Sequence, residues 1–89
     1  MSELISIITP LYNSEEFILD MIKSVQAQTY QNWEMIIVDD CSQDGGPNIV
    51  KEISKTDERI KLISQKQHSG PSHARNIAIE LAKGRYLAF

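Results

Sequence analysis

The chain has 89 residues, of which 42% are hydrophobic and 24% charged, and its formal net charge is -3. This composition is typical of a folded globular domain and argues against a disordered, collagen-like or disulfide-rich chain. The acidic balance gives no support to nucleic-acid binding.

Cysteine content and hydropathy bear on the cellular compartment. Cys41 is the only cysteine, which excludes an internal disulfide and a cysteine cluster for zinc and fits a reducing cytoplasm. The first residues, MSELISIITP, lack the pattern of a signal peptide, and no window approaches the roughly 20 apolar residues of a membrane-spanning helix. We therefore expect a cytoplasmic protein.

The first strand and the first helix are predicted between residues 4 and 25. Residues 4–8 are a short β-branched run typical of a fully buried strand, which we expect to break at Pro10. Ser14 is the predicted N-cap of a helix, with Glu15 and Glu16 in the first turn, where the helix dipole favours negative charge. Apolar residues at i, i+3, i+4 and i+7 then mark one helix face: Ile18, Met21, Ile22 and Val25.

The second strand and helix follow the same pattern. Residues 35–38 form a buried apolar strand, and the polar sequence DDCSQDGG after it predicts a turn. Pro47 suits the first position of a helix whose apolar residues are Ile49, Val50 and Ile53.

The third unit leads into a fourth strand. Residues 60–63 alternate more strongly, which indicates a strand nearer the edge of a sheet. Residues 69–71, Ser-Gly-Pro, begin a helix, Gly84 ends it, and residues 86–89 begin the fourth strand. The apolar face of that helix consists of Ala74, Ile77, Ala78 and Leu81.

The predicted order is β-α-β-α-β-α-β, with connections suited to crossover helices between parallel strands. Right-handed crossovers give a Rossmann-like α/β fold, three layers deep (α/β/α), with a parallel sheet. The sequence ends within or at the end of an apolar strand, so we expect residues 1–89 to be the first half of a larger domain.

Polar loops follow the first three strands, at residues 9–14, 39–46 and 64–72. Because the carboxyl ends of parallel strands share one edge of the sheet, these loops should meet there. The resulting pocket rim would contain Tyr12, Asn13, Asp39, Asp40, Asp44, His68, His73, Arg75 and Asn76.

Two common phosphate-binding sequences are missing from this edge. The loop after the first strand reads TPLYNSEE and contains no glycine, which excludes the GxGxxG turn of dinucleotide enzymes. The sequence also has no GxxxxGK[ST] loop for a triphosphate.

The adjacent acids Asp39 and Asp40 admit more than one interpretation. Neighbouring residues on an extended strand point to opposite faces, which disfavours joint chelation of one metal ion. Either carboxylate could cap the following turn or helix, or accept a hydrogen bond from a ligand N–H or hydroxyl. A phospho-acceptor site of the receiver type is disfavoured, because its acid pair follows the first strand and its aspartate follows the third, where this chain has Ser64, Gln65 and Lys66.

Other polar residues near this edge are interpreted structurally. His68 and His73 are expected to be exposed loop and first-turn residues, and two histidines without a third ligand make a weak metal site. Cys41 is interpreted as a turn residue and Asp44 as a turn or capping group. Trp33 is expected to pack against the first helix.

Three segments in order, SIITPLYNSEEFI, QAQTYQNWEMIIVDDCSQDGG and SGPSHARNIAIELAKGRYLAF, together resemble the N-terminal half of a family 2 glycosyltransferase with the GT-A fold. The resemblance covers essentially the whole chain. The family usually has glycine at the position of Cys41, often threonine at Gln43, asparagine at His68 and a small residue at His73, which weakens any role for these four positions.

The resemblance implies transfer of a sugar from a nucleotide-sugar donor to an acceptor by direct displacement, with inversion at the anomeric carbon. It implies that the loop at Thr9, Pro10 and Tyr12 lies against base and ribose. It further implies that Asp40 accepts a hydrogen bond from uracil N3–H, which favours a UDP-sugar, with a TDP-sugar presenting the same edge. Three more residues are assigned to the nucleotide site: Asp39 as a supporting or structural group, and Arg75 and Asn76 near the nucleotide. The competing interpretation of Arg75 is a surface ion pair with Asp39 or Asp44.

The resemblance also implies components that lie outside these 89 residues. The divalent cation, Mn²⁺ or Mg²⁺, is expected on a DxD-like motif beginning just after YLAF, and the catalytic base and the site for an acceptor glycan or lipid-linked glycan are expected later. We therefore expect the fragment to bind the nucleoside at most, without transfer, and the parent enzyme to act in the cytoplasm or at the inner face of the membrane. The alternative is a stand-alone nucleotide-binding or interaction module. If Phe89 closes an incomplete sheet, the sheet edge and apolar helix faces left uncovered predict self-association.

Overall fold

Strands and helices alternate along the chain in the order that the sequence predicts. The structure, a computed structural model, describes residues 3–65, 71–84 and 86–88. Its elements are β1 (Ile5–Leu11), α1 (Glu15–Gln26), β2 (Trp33–Asp39), α2 (Gly46–Ser54), β3 (Ile60–Ser64), α3 (Pro71–Leu81) and β4 (Tyr86–Ala88). In this part of the chain no helix combines the length and the apolar character that crossing a membrane requires.

The four strands form one parallel sheet in the order β3-β2-β1-β4. The register pairs Ile5 with Trp33 and Leu11 with Asp39, so β1 and β2 are matched along their whole length. β3 lies at one edge of this sheet, as its alternating sequence predicts. Among the described residues β4 forms the other edge.

Helices cover both faces of the sheet. On one face, α1 and α2 pack on the strands through a core cluster made of Leu11, Ile18, Ile22, Val25, Trp33, Met35, Ile37, Val50 and Ile60. On the other face, Ala78 of α3 packs on Ile8, Ile36 and Val38. Successive residues of β2 therefore alternate between the two clusters, as the pleat of a strand requires. The predicted three-layer α/β/α fold is confirmed, and Trp33 belongs to the same core cluster as the α1 residues Ile18, Ile22 and Val25.

The expected break at Pro10 is wrong, because β1 continues through Pro10 to Leu11. The carbonyl of Leu11 accepts a hydrogen bond from the Asp40 N–H, at 2.9 Å, and so faces β2. Since successive residues direct their backbone groups to opposite sides, the nitrogen of Pro10 faces the β4 side, where the described pairing covers only residues 5–7. Its missing N–H removes no bond from the described ladder.

Two residues of the predicted helix faces are exposed instead of buried. Met21 is 43% exposed and lines a groove of about 450 Å³ between α1 and β1. Leu81 is 50% exposed at the last residue of α3, about one turn beyond the buried Ala78. The expected helix start at residues 69–70 and the strand residue Phe89 lie outside the described residues.

A buried carboxylate fastens the α3–β4 connection to the amino-terminal half of the sheet. Glu34 is 3% exposed and accepts hydrogen bonds from Ser6 Oγ and the Lys83 N–H, both at 2.6 Å, and from Lys61 Nζ at 2.9 Å. Burial raises the pKa of Glu34, but the hydrogen bonds from Ser6, Lys61 and Lys83 and the Lys61 charge outweigh it, so the pKa falls to about 2. The Gly84 N–H donates to Ser6 Oγ at 2.8 Å, and a Cβ on Gly84 would stand 2.7 Å from the Ser6 nitrogen, so this close approach requires glycine.

A second ion pair lies within the turn between α2 and β3. Arg59 pairs with Asp57 at 2.9 Å and lies 3.8 Å from the centre of the Trp33 ring. The hydrogen bond from the Arg59 side chain is the main reason why the pKa of Asp57 falls to about 2. This turn is at the amino-terminal end of β3 and thus at the opposite edge from the polar loops that follow β1, β2 and β3.

Candidate functional site

The polar loops after β1, β2 and β3 lie together at the carboxyl edge of the sheet, as predicted. The Asp40 N–H donates to the Leu11 carbonyl at 2.9 Å, which joins the loop after β2 to the end of β1. The Gln65 N–H donates to the Asp39 carbonyl, also at 2.9 Å, which joins the loop after β3 to the end of β2. These bonds place Tyr12 and Asp40 on neighbouring strand ends.

Side chains interlock the loop after β1 with the loop after β2. The Asn13 N–H donates to Ser42 Oγ at 3.0 Å, and Asn13 Oδ1 accepts from the Gln43 N–H at 2.8 Å. Asn13 has φ of 48°, in the left-handed region, where asparagine is tolerated better than most residues. The two loops therefore hold each other through a reciprocal pair of hydrogen bonds.

Asp44 connects the starts of two helices. Its Oδ2 accepts from the Glu15 N–H and its Oδ1 from the Gly46 N–H, each at 3.0 Å, and these are the first residues of α1 and α2. The interpretation of Asp44 as a turn or capping group is confirmed. Ser14 occupies the N-cap position of α1 as predicted, but its side chain caps no N–H and donates to the Tyr12 carbonyl instead, at 3.1 Å.

The paired acids occupy different environments. Asp39 is 6% exposed, and its Oδ1 accepts from the Ser42 N–H at 3.2 Å, which is the turn-capping role considered for it. Asp40 is 2% exposed. The alternation along β2 places Asp39 with Met35 and Ile37, towards α1 and α2, and Asp40 on the side of α3. The acids therefore face opposite sides of the sheet, as expected for neighbours on an extended chain.

The residues expected at the nucleotide site are divided between these two sides. Thr9 is 8% exposed and lines the groove between β1 and α1, on the same side as Asp39. Pro10 and Asp40 follow the opposite alternation, towards α3, which carries the exposed Arg75 and Asn76. Tyr12, at 49% exposure, lies in the loop after β1. The α3 side of the carboxyl edge thus combines a recessed carboxylate with exposed polar side chains.

The sequence predicts turn or surface roles for Cys41, His68 and His73. Cys41 is half-buried, has φ of 63°, and donates from Sγ to the Gln65 carbonyl at 3.3 Å. His73 is exposed in the first turn of α3, as expected, whereas His68 lies outside the described residues.

The contribution of Ser42 was missed, because a serine in a polar turn carries no distinctive pattern. The signal that was available is the glycine that the family usually has at position 41, because glycine favours the positive φ observed there, next to Ser42.

The described residues do not fit a metal centre. Over residues 3–65, 71–84 and 86–88, no three histidine, cysteine, aspartate or glutamate side chains are grouped so that they could hold an ion. The oxygens of Asp44 and one oxygen of Asp39 already accept backbone N–H groups. These oxygens are therefore already engaged as hydrogen-bond acceptors.

Comparison with known proteins identifies the family. The model of glycosyl transferase family 2 matches residues 6–89. The chain belongs to this family. The fold matches the N-terminal domains of GT-A glycosyltransferases, and the resemblance noted in the sequence is confirmed.

Two curated relatives of this family 2 chain are bacterial glycosyltransferases. A putative teichuronic acid biosynthesis glycosyltransferase, TuaG of Bacillus subtilis, is 50% identical over 97% of the chain and 34% of its own length. WfgD of Escherichia coli, a UDP-Glc:alpha-D-GlcNAc-diphosphoundecaprenol beta-1,3-glucosyltransferase, is 46% identical over 97% of the chain and 33% of its own length. The chain thus spans about a third of the length of these relatives.

Solved structures of similar fold contain nucleotide sugars. The mannosyltransferase PcManGT from Pyrobaculum calidifontis, in complex with GDP-Man and Mn²⁺, superposes with a TM-score of 0.88 at 26% identity, over 98% of this chain and 26% of its own. S. aureus TarS in complex with UDP-GlcNAc superposes with a TM-score of 0.86 at 32% identity, over 93% of this chain and 24% of its own.

Proposed function

We propose that these 89 residues form the nucleoside-binding part of an inverting glycosyltransferase that takes a sugar from a nucleotide-sugar donor, with a UDP-sugar favoured over a TDP-sugar. The observation that carries the proposal is the position of Asp40. Its carboxylate is recessed at the carboxyl end of the central strand β2, beside the Tyr12 loop and on the side of α3. Family membership and the UDP-GlcNAc complex of a similar structure support it.

A recessed carboxylate can read a base edge. An ionised carboxylate only accepts hydrogen bonds, so it pairs with the N3–H of uracil or thymine and meets a lone pair at N3 of cytosine. Hydrogen bonds to a charged group contribute roughly 1.5–3 kcal/mol and gain strength where water is excluded. Asp40 in this role discriminates between bases that differ at one ring nitrogen.

The other residues of the proposed site surround that contact. The exposed ring of Tyr12 offers a surface for base or ribose, with Pro10 beside it on the strand end. Arg75 and Asn76, exposed on α3, are proposed near the nucleotide, where the guanidinium offsets diphosphate charge. Thr9 and Asp39 face the other side of the sheet, and we assign them supporting roles through the backbone of the strand ends.

The relatives support proposals for the donor, the acceptor and the cation of the whole enzyme. The name of WfgD includes a UDP-sugar donor and a lipid-linked acceptor, which supports transfer to a glycan or lipid-linked glycan in cell-envelope polysaccharide synthesis. We accordingly place the enzyme in the cytoplasm at the inner face of the membrane. The Mn²⁺ of PcManGT supports a divalent cation for the whole enzyme, held by residues other than those described.

We further propose that these 89 residues alone bind the nucleoside without transferring sugar, and that chains self-associate through a sheet edge. Donor turnover by the 89-residue chain in a radiolabelled assay contradicts the first expectation. Sedimentation as a monomer throughout the micromolar range contradicts the second.

The proposed base preference is tested by calorimetric titration of the full-length protein that contains this chain. CDP is expected to bind about tenfold more weakly than UDP, because it loses one charge-assisted hydrogen bond, whereas TDP presents the same N3–H and keeps that bond. A GDP titration measures the tolerance of the site for a larger base. Equal binding of UDP and CDP contradicts the proposal.

A further inference from the structure

Two residues with left-handed backbone directly follow Tyr12 and Asp40, which we place on the nucleoside. Over the described chain, Asn13 and Cys41 are the non-glycine residues with positive φ, at 48° and 63°. Asn13 comes after Tyr12, and Cys41 comes after Asp40. Strained backbone of this kind persists where the surroundings hold it in place, and it concentrates at functional sites.

The left-handed backbone of Asn13 accompanies two hydrogen bonds between the loops after β1 and β2. With φ at 48°, Asn13 presents both its N–H and its Oδ1 to the loop after β2, where Ser42 Oγ accepts and the Gln43 N–H donates. Asp44 adds a third contact between the same two loops, to the Glu15 N–H at 3.0 Å. We call these three residues, Asn13, Ser42 and Asp44, the loop clamp.

The loop clamp joins residues 29 or 30 positions apart in sequence and lies immediately beside the proposed nucleoside contacts. The core clusters lie further down the strands and do not include these three residues. The clamp therefore fixes the spacing of two loop ends rather than the fold of the sheet.

We propose that Asn13 and Asp44 are positioning residues, which hold the Tyr12 loop against the Asp40 loop so that the nucleoside site is formed before the ligand arrives. The proposal rests on the function proposed above. A site that is competent in only a fraction of molecules binds its ligand more weakly by that fraction. Loosening the clamp should therefore weaken nucleotide binding with a smaller effect on global stability.

The test uses three variants of the full-length protein. Asn13→Gly keeps the left-handed backbone and the N–H to Ser42 but removes the Oδ1 acceptor for Gln43. Asp44→Asn places an amide NH₂ where one oxygen now accepts an N–H. Asn13→Asp keeps the Oδ1 acceptor and tolerates the same φ, so it is the conservative variant expected to restore binding.

Asp57→Asn is the matched control, because Asp57 also accepts backbone and side-chain N–H groups in a loop, but at the opposite edge of the sheet. For each variant, UDP affinity is measured by calorimetry and global stability by urea unfolding. We expect Asn13→Gly and Asp44→Asn to weaken UDP binding about tenfold. The reason is that the fraction of molecules with a formed nucleoside site should fall to roughly a tenth. Asn13→Asp and Asp57→Asn should stay within about twofold of wild type, even where Asp57→Asn costs more stability.

The outcomes separate this inference from the function on which it rests. If wild type binds UDP and all four variants bind it equally well, the positioning role is wrong and the proposed function stands. If the loss of affinity follows the loss of stability in all variants, including Asp57→Asn, the clamp is only structural and the inference is also wrong. If wild type does not bind UDP, the proposed function itself fails and takes the inference with it.

Discussion

Cys41 shows how one backbone angle shapes the candidate site. Its φ of 63° lies in the region where a Cβ is unfavourable, which gives a physical reason for the glycine that the family usually has there. The half-buried Sγ donates to the Gln65 carbonyl and offsets part of that cost. Residue type alone did not predict the angle, because cysteine is not a residue that favours the left-handed region.

The strain at Cys41 predicts a difference between two substitutions that both remove the thiol. Cys41→Gly relieves the left-handed backbone and Cys41→Ala does not, so the glycine variant should be the more stable of the two by about 1 kcal/mol. The measurement is urea unfolding of both variants under the same conditions. Equal stability, or a more stable alanine variant, would show that the backbone at this position is not strained.

Asp40 and Asp44 illustrate what could be inferred about the site from the sequence. Their position after an apolar strand predicted that they lie at the carboxyl edge, and the opposite facing of Asp39 and Asp40 followed from the two-residue period of a strand. The partners of Asp44 could not be predicted. They belong to α1 and α2, and the N–H of Glu15 is 29 residues away in sequence.

At the scale of elements, the helices were predicted better than the strand ends. Period and capping residues placed α1 and α2 close to their observed bounds, since both signals are local. The end of β1 was missed because the effect of Pro10 depends on which neighbouring strand its nitrogen faces. The exposure of Met21 was missed for a similar reason, because the closeness of α1 to β1 is a tertiary property that the helical period does not encode.

The buried Glu34 contact makes stability depend on pH. Its folded pKa of about 2 is below the ordinary value of 4.5, so its stabilising contribution is fully present above about pH 5 and is lost as pH falls towards 2. Glu34→Gln should lower the free energy of unfolding at pH 7 by about 2 to 3 kcal/mol and should flatten its dependence on pH between 5 and 2. Urea unfolding across that range measures both effects.

Glu52→Gln is the control for this prediction. Glu52 pairs with Lys55 on the surface of α2, where both side chains are mostly exposed, so its loss should leave the pH profile unchanged. Asp57, whose pKa is also about 2, keeps part of the acid sensitivity in the Glu34 variant. A Glu34→Gln profile that coincides with wild type would mean that the carboxylate is not ionised in this network.

For the molecule as a whole, hydrophobic periodicity predicted the order of elements, the parallel sheet and the edge where polar loops meet. It did not show which residues of β1 lie on the same side of the sheet as Asp40, because that depends on the register of β1 with β2. In the structure, Asp40 is recessed on the α3 side of the sheet, where Arg75 and Asn76 are exposed. Asp40 is therefore the residue to which we assign reading of the base.

The most direct test of that claim is the ratio of UDP to CDP affinity in the full-length protein with and without Asp40→Asn. An asparagine amide can accept from uracil N3–H or donate to cytosine N3, whereas a carboxylate can only accept. Calorimetry should show a preference of about tenfold for UDP in wild type and a ratio within about twofold in Asp40→Asn. An unchanged preference for UDP in the variant would contradict base reading by Asp40.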